Sequence, residues 1–346
     1  MAWATIFFDM DDLFKKLLIL RVPGIGPAKY NMLKKQYGDD TAIIESLNIQ
    51  NDLIDSLKRE MDLAYNMNIE YICDTDSRYP KNLLNIKNHP IVISARGNIK
   101  TLSKKSLSIV GTRHSTAAGM SFVSQLAKRF ADNDYAVVSG MAMGTDTAAH
   151  VGALQSNGVA QTIAVLAGGV DYIWPIENES LYYEILERGV VISEMPVGMK
   201  PVAQNFVQRN RWVAGISDFL ILGEADISSG SMTTARFAID YEKQVFAIPG
   251  HPSDPRSMGP NSLIKNGKAI LCMSLKDFFN DDKNIKNNKK NSEIKNDILD
   301  KLGIIPVSES VLANLVKKSV AEIKADLVVL ELQGLIRKQD GGYVLN

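Results

Sequence analysis

The chain has 346 residues, 45% of them hydrophobic, and its 39 basic and 39 acidic side chains leave a formal net charge of zero. A usual domain of roughly 100–200 residues makes two or three domains the expectation, and no apolar run approaches the roughly 20 residues of a membrane-spanning helix. Zero net charge excludes a global field for a polyanion, so any nucleic-acid contact must come from a local basic cluster, and two distant cysteines, Cys73 and Cys272, exclude a disulfide framework or a thiolate metal cluster.

In chain order, Met1-Ala2-Trp3-Ala4 runs into Asp9, Asp11 and Asp12 without the basic region or cleavage site of an export signal, so the expected location is the cytoplasm. Residues 1–75 form the first expected domain. Within it, Leu17 to Lys29 reads as helix, glycine turn, helix, with Gly24 and Gly26 free to adopt positive φ and Pro27 suited to a first helical turn. This pattern fits a helix-hairpin-helix that offers turn amides to a phosphate, with Lys29, Lys34 and Lys35 nearby; it equally fits a purely structural helical hairpin.

Residues 76–279 form the second expected domain, with strand and helix alternating from Ile91 to Phe279. The expected strands are Leu107–Val110, Ala136–Val138, Thr162–Leu166, Val190–Ser193, Phe219–Leu222 and Val245–Ile248, and amphipathic stretches at Gly119–Phe130, Thr145–Ala153, Leu181–Leu186 and Met232–Tyr241 separate them. Continuous apolar strands between helices predict an α/β fold, a Rossmann-like, doubly wound and mostly parallel sheet covered on both faces. Residues 280–296, rich in Asn, Lys and Asp, predict a flexible linker. Residues 297–346 predict helices at Ile298–Leu302, Val307–Leu315 and Val320–Leu335 and a hairpin turning at Asp340-Gly341-Gly342, the pattern of a small winged helix. Its acidic last helix, with Glu322, Asp326 and Glu331, favours a protein contact over DNA.

Ligands of a doubly wound sheet bind outside the carboxyl ends of its strands, and there this chain concentrates Gly111-Thr112-Arg113, Ser139-Gly140, Gly168-Gly169 and Ser229-Gly230-Ser231. A helix opening at Ser115 or Thr116 would turn free amides and its dipole toward an anion. Arg113 adds a forked guanidinium suited to phosphate. Arg209, Asn210 and Arg211 are read near a helix start, where two arginines two residues apart cannot share one face. Lys243 and Lys265 are weaker basic candidates.

Other chemistries lack their residues. The nearest approach to a P-loop, Gly259 to Gly267-Lys268, is too widely spaced and ends in Ala269. No Gly-x-Gly-x-x-Gly follows Val110, which disfavours NAD, and no cofactor is expected. His89, His114, His150 and His251 show no metal-ligand spacing, and no Gly-x-Ser-x-Gly elbow occurs. The rival reading is a Rossmann-like phosphoribohydrolase of the lysine-decarboxylase-like (LOG) type acting on nucleotides. It expects a carboxylate soon after its glycine loop, whereas here none follows Thr234 before Asp240.

The ordered set Ser108-Ile109-Val110-Gly111-Thr112-Arg113, Ser139-Gly140-Met141-Ala142-Met143-Gly144-Thr145-Asp146, Ala167-Gly168-Gly169-Val170-Asp171, Arg209-Asn210-Arg211 and Ser229-Gly230-Ser231-Met232-Thr233-Thr234, with Ala247-Ile248-Pro249-Gly250 and Gly259-Pro260-Asn261-Ser262, resembles the DNA-processing protein A (DprA/Smf) family over residues 76–277. The resemblance implies a non-catalytic binder of single-stranded DNA that helps displace single-strand-binding protein and loads the RecA recombinase in natural transformation. It implies a homodimer formed through the Rossmann-like domain, a SAM-like or helix-hairpin-helix module before it and a winged helix after it. By motif, Gly111, Arg113, Arg209, Arg211 and Lys243 would belong to the DNA pocket. Trp174-Pro175 stands where the family usually has Tyr-Pro, and Ile176-Glu177 follows in place of a basic residue, so a contact from that loop is not expected.

Overall fold

Residues 11–157, 162–278, 297–303, 306–332, 335–339 and 341–345 are described in the computed structural model. They fall in two compact units, Met1–Phe279 and Asn280–Asn346. The linker expected over residues 280–296 lies outside the described residues.

The first unit opens with α1 (Asp12–Arg21), capped by Asp11, whose carboxylate accepts the Phe14 amide at 2.7 Å. A turn with Gly24 at φ 78° leads into α2 (Pro27–Tyr37), where Pro27 takes the first turn as its missing amide hydrogen allows. With α3 (Asp40–Leu47) and α4 (Asn51–Asn66), these helices bury Leu17, Leu18, Ile19, Ile25 and Leu33 together with Ile91 and Val92 of the following segment.

Two strands follow that periodicity does not announce. β1 (Ile69–Cys73) pairs antiparallel with β2 (Val92–Gly97), with α5 (Lys81–Leu84) between them, and β2 pairs antiparallel with a later strand. The boundary expected at residue 75 therefore falls between two neighbouring strands of one sheet. β1 is only half-buried, so its side chains do not form the continuous apolar run that marks the central strands.

The alternation then runs β3 (Ser106–Val110), α6 (Ala117–Asp132), β4 (Ala136–Ser139), α7 (Thr145–Leu154), β5 (Thr162–Val165), α8 (Glu179–Arg188), β6 (Val190–Ser193), α9 (Ala203–Ile216), β7 (Phe219–Leu222), α10 (Gly230–Asp240), β8 (Gln244–Ala247), α11 (Pro255–Lys265) and β9 (Ile270–Leu271); the six expected strands and four expected helices are among them, α9 begins earlier than expected, and α11 and β9 are additions to the expected elements. The sheet order is β1-β2-β6-β5-β4-β3-β7-β8-β9, parallel from β6 to β9. Its central strands are wholly buried because helices cover both faces. From β3 the chain winds outward through β4, β5 and β6, then returns to place β7 on the other side of β3. Such a reversal opens a crevice at the carboxyl ends of the strands.

Beneath that crevice, α7 buries His150, whose Nδ1 lies 2.6 Å from Thr162 Oγ1. Burial, aided by the positive charge of Arg209, pushes the imidazole down to about 3. The folded state thus excludes a proton that the unfolded chain takes up below its ordinary value of about 6.5, so stability is full above that value and falls as pH drops toward 3. Urea unfolding should show a loss of about 1 kcal/mol between pH 6 and 5 that a His150→Asn variant lacks.

In the second unit, α12 (Glu309–Val316) and α13 (Val320–Leu332) pack Leu312, Ile323, Leu327 and Leu330 against Ile336 and Tyr343 of a hairpin, β10 (Ile336–Gln339) with β11 (Gly342–Leu345). Val307 forms an isolated antiparallel bridge with Tyr343. Gly341 and Gly342 turn the hairpin at φ 94° and 153°, while Asp340 lies outside the described residues. Among the described residues, no helix is long and apolar enough to cross a membrane.

Candidate nucleic-acid interface

The loops after β3, β4 and β7 meet around a cleft of about 320 Å³. Of the residues expected at the site, Gly111, Thr112, Arg113, Gly140, Arg209 and Asn210 line it, joined by Ser229, Gly230 and Ser231. Close backbone approach dictates the glycines. A Cβ on Gly140 would lie within 2.5 Å of the Arg209 guanidinium carbon, and Gly144, at φ 76°, has the carbonyl oxygens of Thr112 and Arg113 where a Cβ would stand 2.6 Å away.

Arg113 is exposed, has no carboxylate partner among the described residues, and lies 5.3 Å from the ring centroid of Trp174. Trp174 in turn meets Phe206 edge to face at 4.7 Å. The cation is held by an aromatic ring, which directs it without neutralising it. Sequence reasoning set the Trp174 loop aside because Ile176-Glu177 follows it; the useful signal was the tryptophan itself.

The helix start expected to receive a phosphate is already occupied. Thr116 does cap α6, accepting the Gly119 amide at 3.0 Å, but Glu224 at the end of β7 accepts from the Thr116 amide at 2.7 Å and from its hydroxyl at 2.5 Å. The protein's own carboxylate is the anion there. An open helix start lies instead at α10, where Ser229 is the cap and the amides of Gly230 and Ser231 have no acceptor among the described residues.

Several expected contacts lie elsewhere. Arg209 stands in the middle of α9 and is buried, donating from Nη1 to Gly140 O and to Val165 O at 2.9 Å. Desolvation draws its proton affinity down while the negative charge of Asp146 opposes this, and burial raises the Asp146 carboxyl. Arg209 is a fixed positive charge under the cleft floor that props the Gly140 loop. Arg211, two residues on, leaves by another face, stacking on Trp212 and donating to Lys87 O at 3.1 Å. Ser139 is buried, its hydroxyl donating to Ile109 O at 2.7 Å. Gly168 backs onto Met199 outside the cleft.

Lys243 precedes β8, so it sits at the opposite edge of the sheet; its amine bonds Gly215 O and Ser217 O at the end of α9. Burial lowers its pKa to about 8. Lys265 is exposed at the last turn of α11, away from the lining residues. Asp240 likewise closes α10 at its far end. Among the described residues no group of three potential metal ligands occurs.

The sequence profile of DNA recombination-mediator protein A matches residues 70–282, and that of the DprA winged helix domain matches residues 287–342. The chain belongs to this family. Protein Smf of Escherichia coli (strain K12) is 33% identical over 281 residues, spanning 77% of this chain and 74% of that protein. The X-ray structure of DprA from Streptococcus pneumoniae superposes with a TM-score of 0.67 at 28% identity, covering 77% of this chain and 96% of that one. DNA processing protein A from Helicobacter pylori, whose structure concerns its single-stranded DNA binding mode, superposes with a TM-score of 0.56 at 30% identity, covering 61% and 94%. In another curated relative the match spans only 52% of that protein's length. The family's Rossmann-like sheet, with a helical segment before it and a winged helix after it, is the architecture the sequence predicts.

Proposed function

We propose that this protein binds single-stranded DNA at the carboxyl edge of its sheet and, as a homodimer formed through the Rossmann-like domain, helps displace single-strand-binding protein and loads RecA. It acts by binding, without catalysis, in the cytoplasm. The observation that carries this reading is Arg113, an exposed cation without a carboxylate partner, set on Trp174 beside the open amides of Gly230 and Ser231. A relative 30% identical, from Helicobacter pylori, is described by its binding of single-stranded DNA. Exposed Ile270, Leu271 and Met273 at the outermost strand of the sheet suit contact with a second copy. In the winged helix, α13 carries Glu322, Asp326 and Glu331; Asp326 is paired with Lys318, whereas Glu331 is exposed without an ion-pair partner among the described residues, which supports a protein-contact role.

The contacts available are to phosphates, which position a strand but do not read its sequence. Anisotropy titrations should therefore give a strong preference for single- over double-stranded oligonucleotides and little dependence on base composition. If about three phosphates are neutralised, log affinity against log salt should have a slope of about −2. Equal affinity for the duplex, or a slope near zero, overturns the reading.

A further inference from the structure

A second basic surface lies in the same unit, away from the sheet edge. The last turns of α2 and the segment after α5 form the walls of a groove of about 660 Å³, lined by Lys34, Lys35, Asn85, Lys87, Asn88 and His89 among others, none of them a carboxylate. Two carboxylates that meet its lining residues are already engaged: Asp40 pairs with Lys34 at 2.9 Å and Asp74 faces His89 at 3.3 Å. Lys35 and Lys87 are exposed and have no ion-pair partner among the described residues. The groove is thus a patch of uncompensated positive charge on a chain whose net charge is zero, the situation in which a local cluster and not a global field would hold a polyanion.

This groove connects to the cleft through α9. Asn210 lines the cleft, and Arg211, next to it, donates to the backbone carbonyl of Lys87 at 3.1 Å. On the other side of Lys87 a further depression is lined by Asp240 and Glu242, so carboxylates bound the basic track there. We propose that the groove is a second phosphate site for the same strand, engaging single-stranded DNA that runs on from the sheet-edge cleft across Arg211 to Lys87 and Lys35. The inference rests on the strand binding at the cleft and adds its path and footprint. It also gives the N-terminal helices a role through the end of α2, whereas the Gly24–Gly26 turn is not part of the groove.

The test uses the full chain, with single-stranded oligonucleotides of roughly 6 and roughly 30 nucleotides. Both substitutions in Lys35→Glu/Lys87→Glu are at exposed side chains, and an unchanged thermal unfolding midpoint confirms that the variant folds. The long oligonucleotide should bind this variant about tenfold more weakly or worse, with the salt slope reduced by about 1.4 for two lost phosphates, while the short one binds as to the wild type. Arg113→Ala should weaken both lengths. Wild-type affinity of the lysine variant for both lengths overturns the groove and leaves the cleft intact, as does an equal loss at both lengths, which would mark general attraction instead of a path. Unchanged DNA binding with lost recombinase loading would assign the groove to an acidic protein surface and likewise overturn the proposal. Failure of Arg113→Ala to weaken either length is a failure of the cleft reading, separately visible.

Discussion

Replacing Arg209 by Ala should destabilise the first unit by about 2–5 kcal/mol, because each buried acceptor left without its donor costs about 1–3 kcal/mol. The guanidinium is buried, and its removal strands the carbonyl oxygens of Gly140 and Val165 and withdraws the positive charge that favours ionisation of Asp146, which is buried at the start of α7 with the Ala142 amide 3.2 Å from its Oδ2. A Lys at this position keeps the charge but cannot reach both carbonyls with a planar fork, so Arg209→Lys should recover part of the loss. Urea unfolding followed by circular dichroism reads the effect. DNA affinity should fall with it, since Gly140 belongs to the cleft and its loop rests on Nη1. The discriminating result is the pairing of the two measurements. Full stability with lost DNA binding would mean that Arg209 touches the strand itself, as the Arg-Asn-Arg motif alone suggests.

That contrast shows how much of this protein could be read in advance. The central strands were legible because burial on both faces leaves no choice but continuous apolar runs, and all six expected runs match observed strands to within one residue at either end, Val190–Ser193 and Phe219–Leu222 without any shift. β1 was not, since a half-buried antiparallel edge is marked by no such run, and β2 is short of one because its buried part, Val92–Ala95, is interrupted by Ser94 and gives way to Arg96 and Gly97. The loops that line the cleft were also legible, from glycine directly after a strand. What sequence does not carry is the direction a basic side chain takes. Arg209 and Lys243 both have the charge of a phosphate ligand, yet each ends on backbone carbonyls at a buried or half-buried helix flank. For Lys243 the information was nonetheless present: a residue that precedes a parallel strand lies at the amino edge, opposite the ligand edge. The same rule, applied to Glu224 immediately beyond β7, would have placed a carboxylate at the very helix start assigned to a phosphate.

Arg113→Ala should weaken single-stranded DNA binding roughly fivefold at 0.1 M salt, for one phosphate contact at about −0.7 per unit of log salt, and should move the slope from about −2 to about −1.3. The loss should be the same for any base composition, because a guanidinium on a phosphate carries no sequence information. Stability should change little: the side chain is exposed, and its contact with Trp174 is an exposed cation–π pair worth about 1 kcal/mol at most. Arg113→Lys separates charge from geometry, since the ammonium preserves the electrostatic attraction but loses the planar stacking on Trp174 and the bidentate fork, leaving an affinity between those of the wild type and the alanine variant. Trp174→Ala complements it by keeping the guanidinium and removing the surface that orients it, so affinity should fall less than in Arg113→Ala while the salt slope stays near the wild-type value. Wild-type affinity and slope in Arg113→Ala would remove the exposed guanidinium from the cleft's binding groups, and the DNA-binding reading of the sheet edge with it.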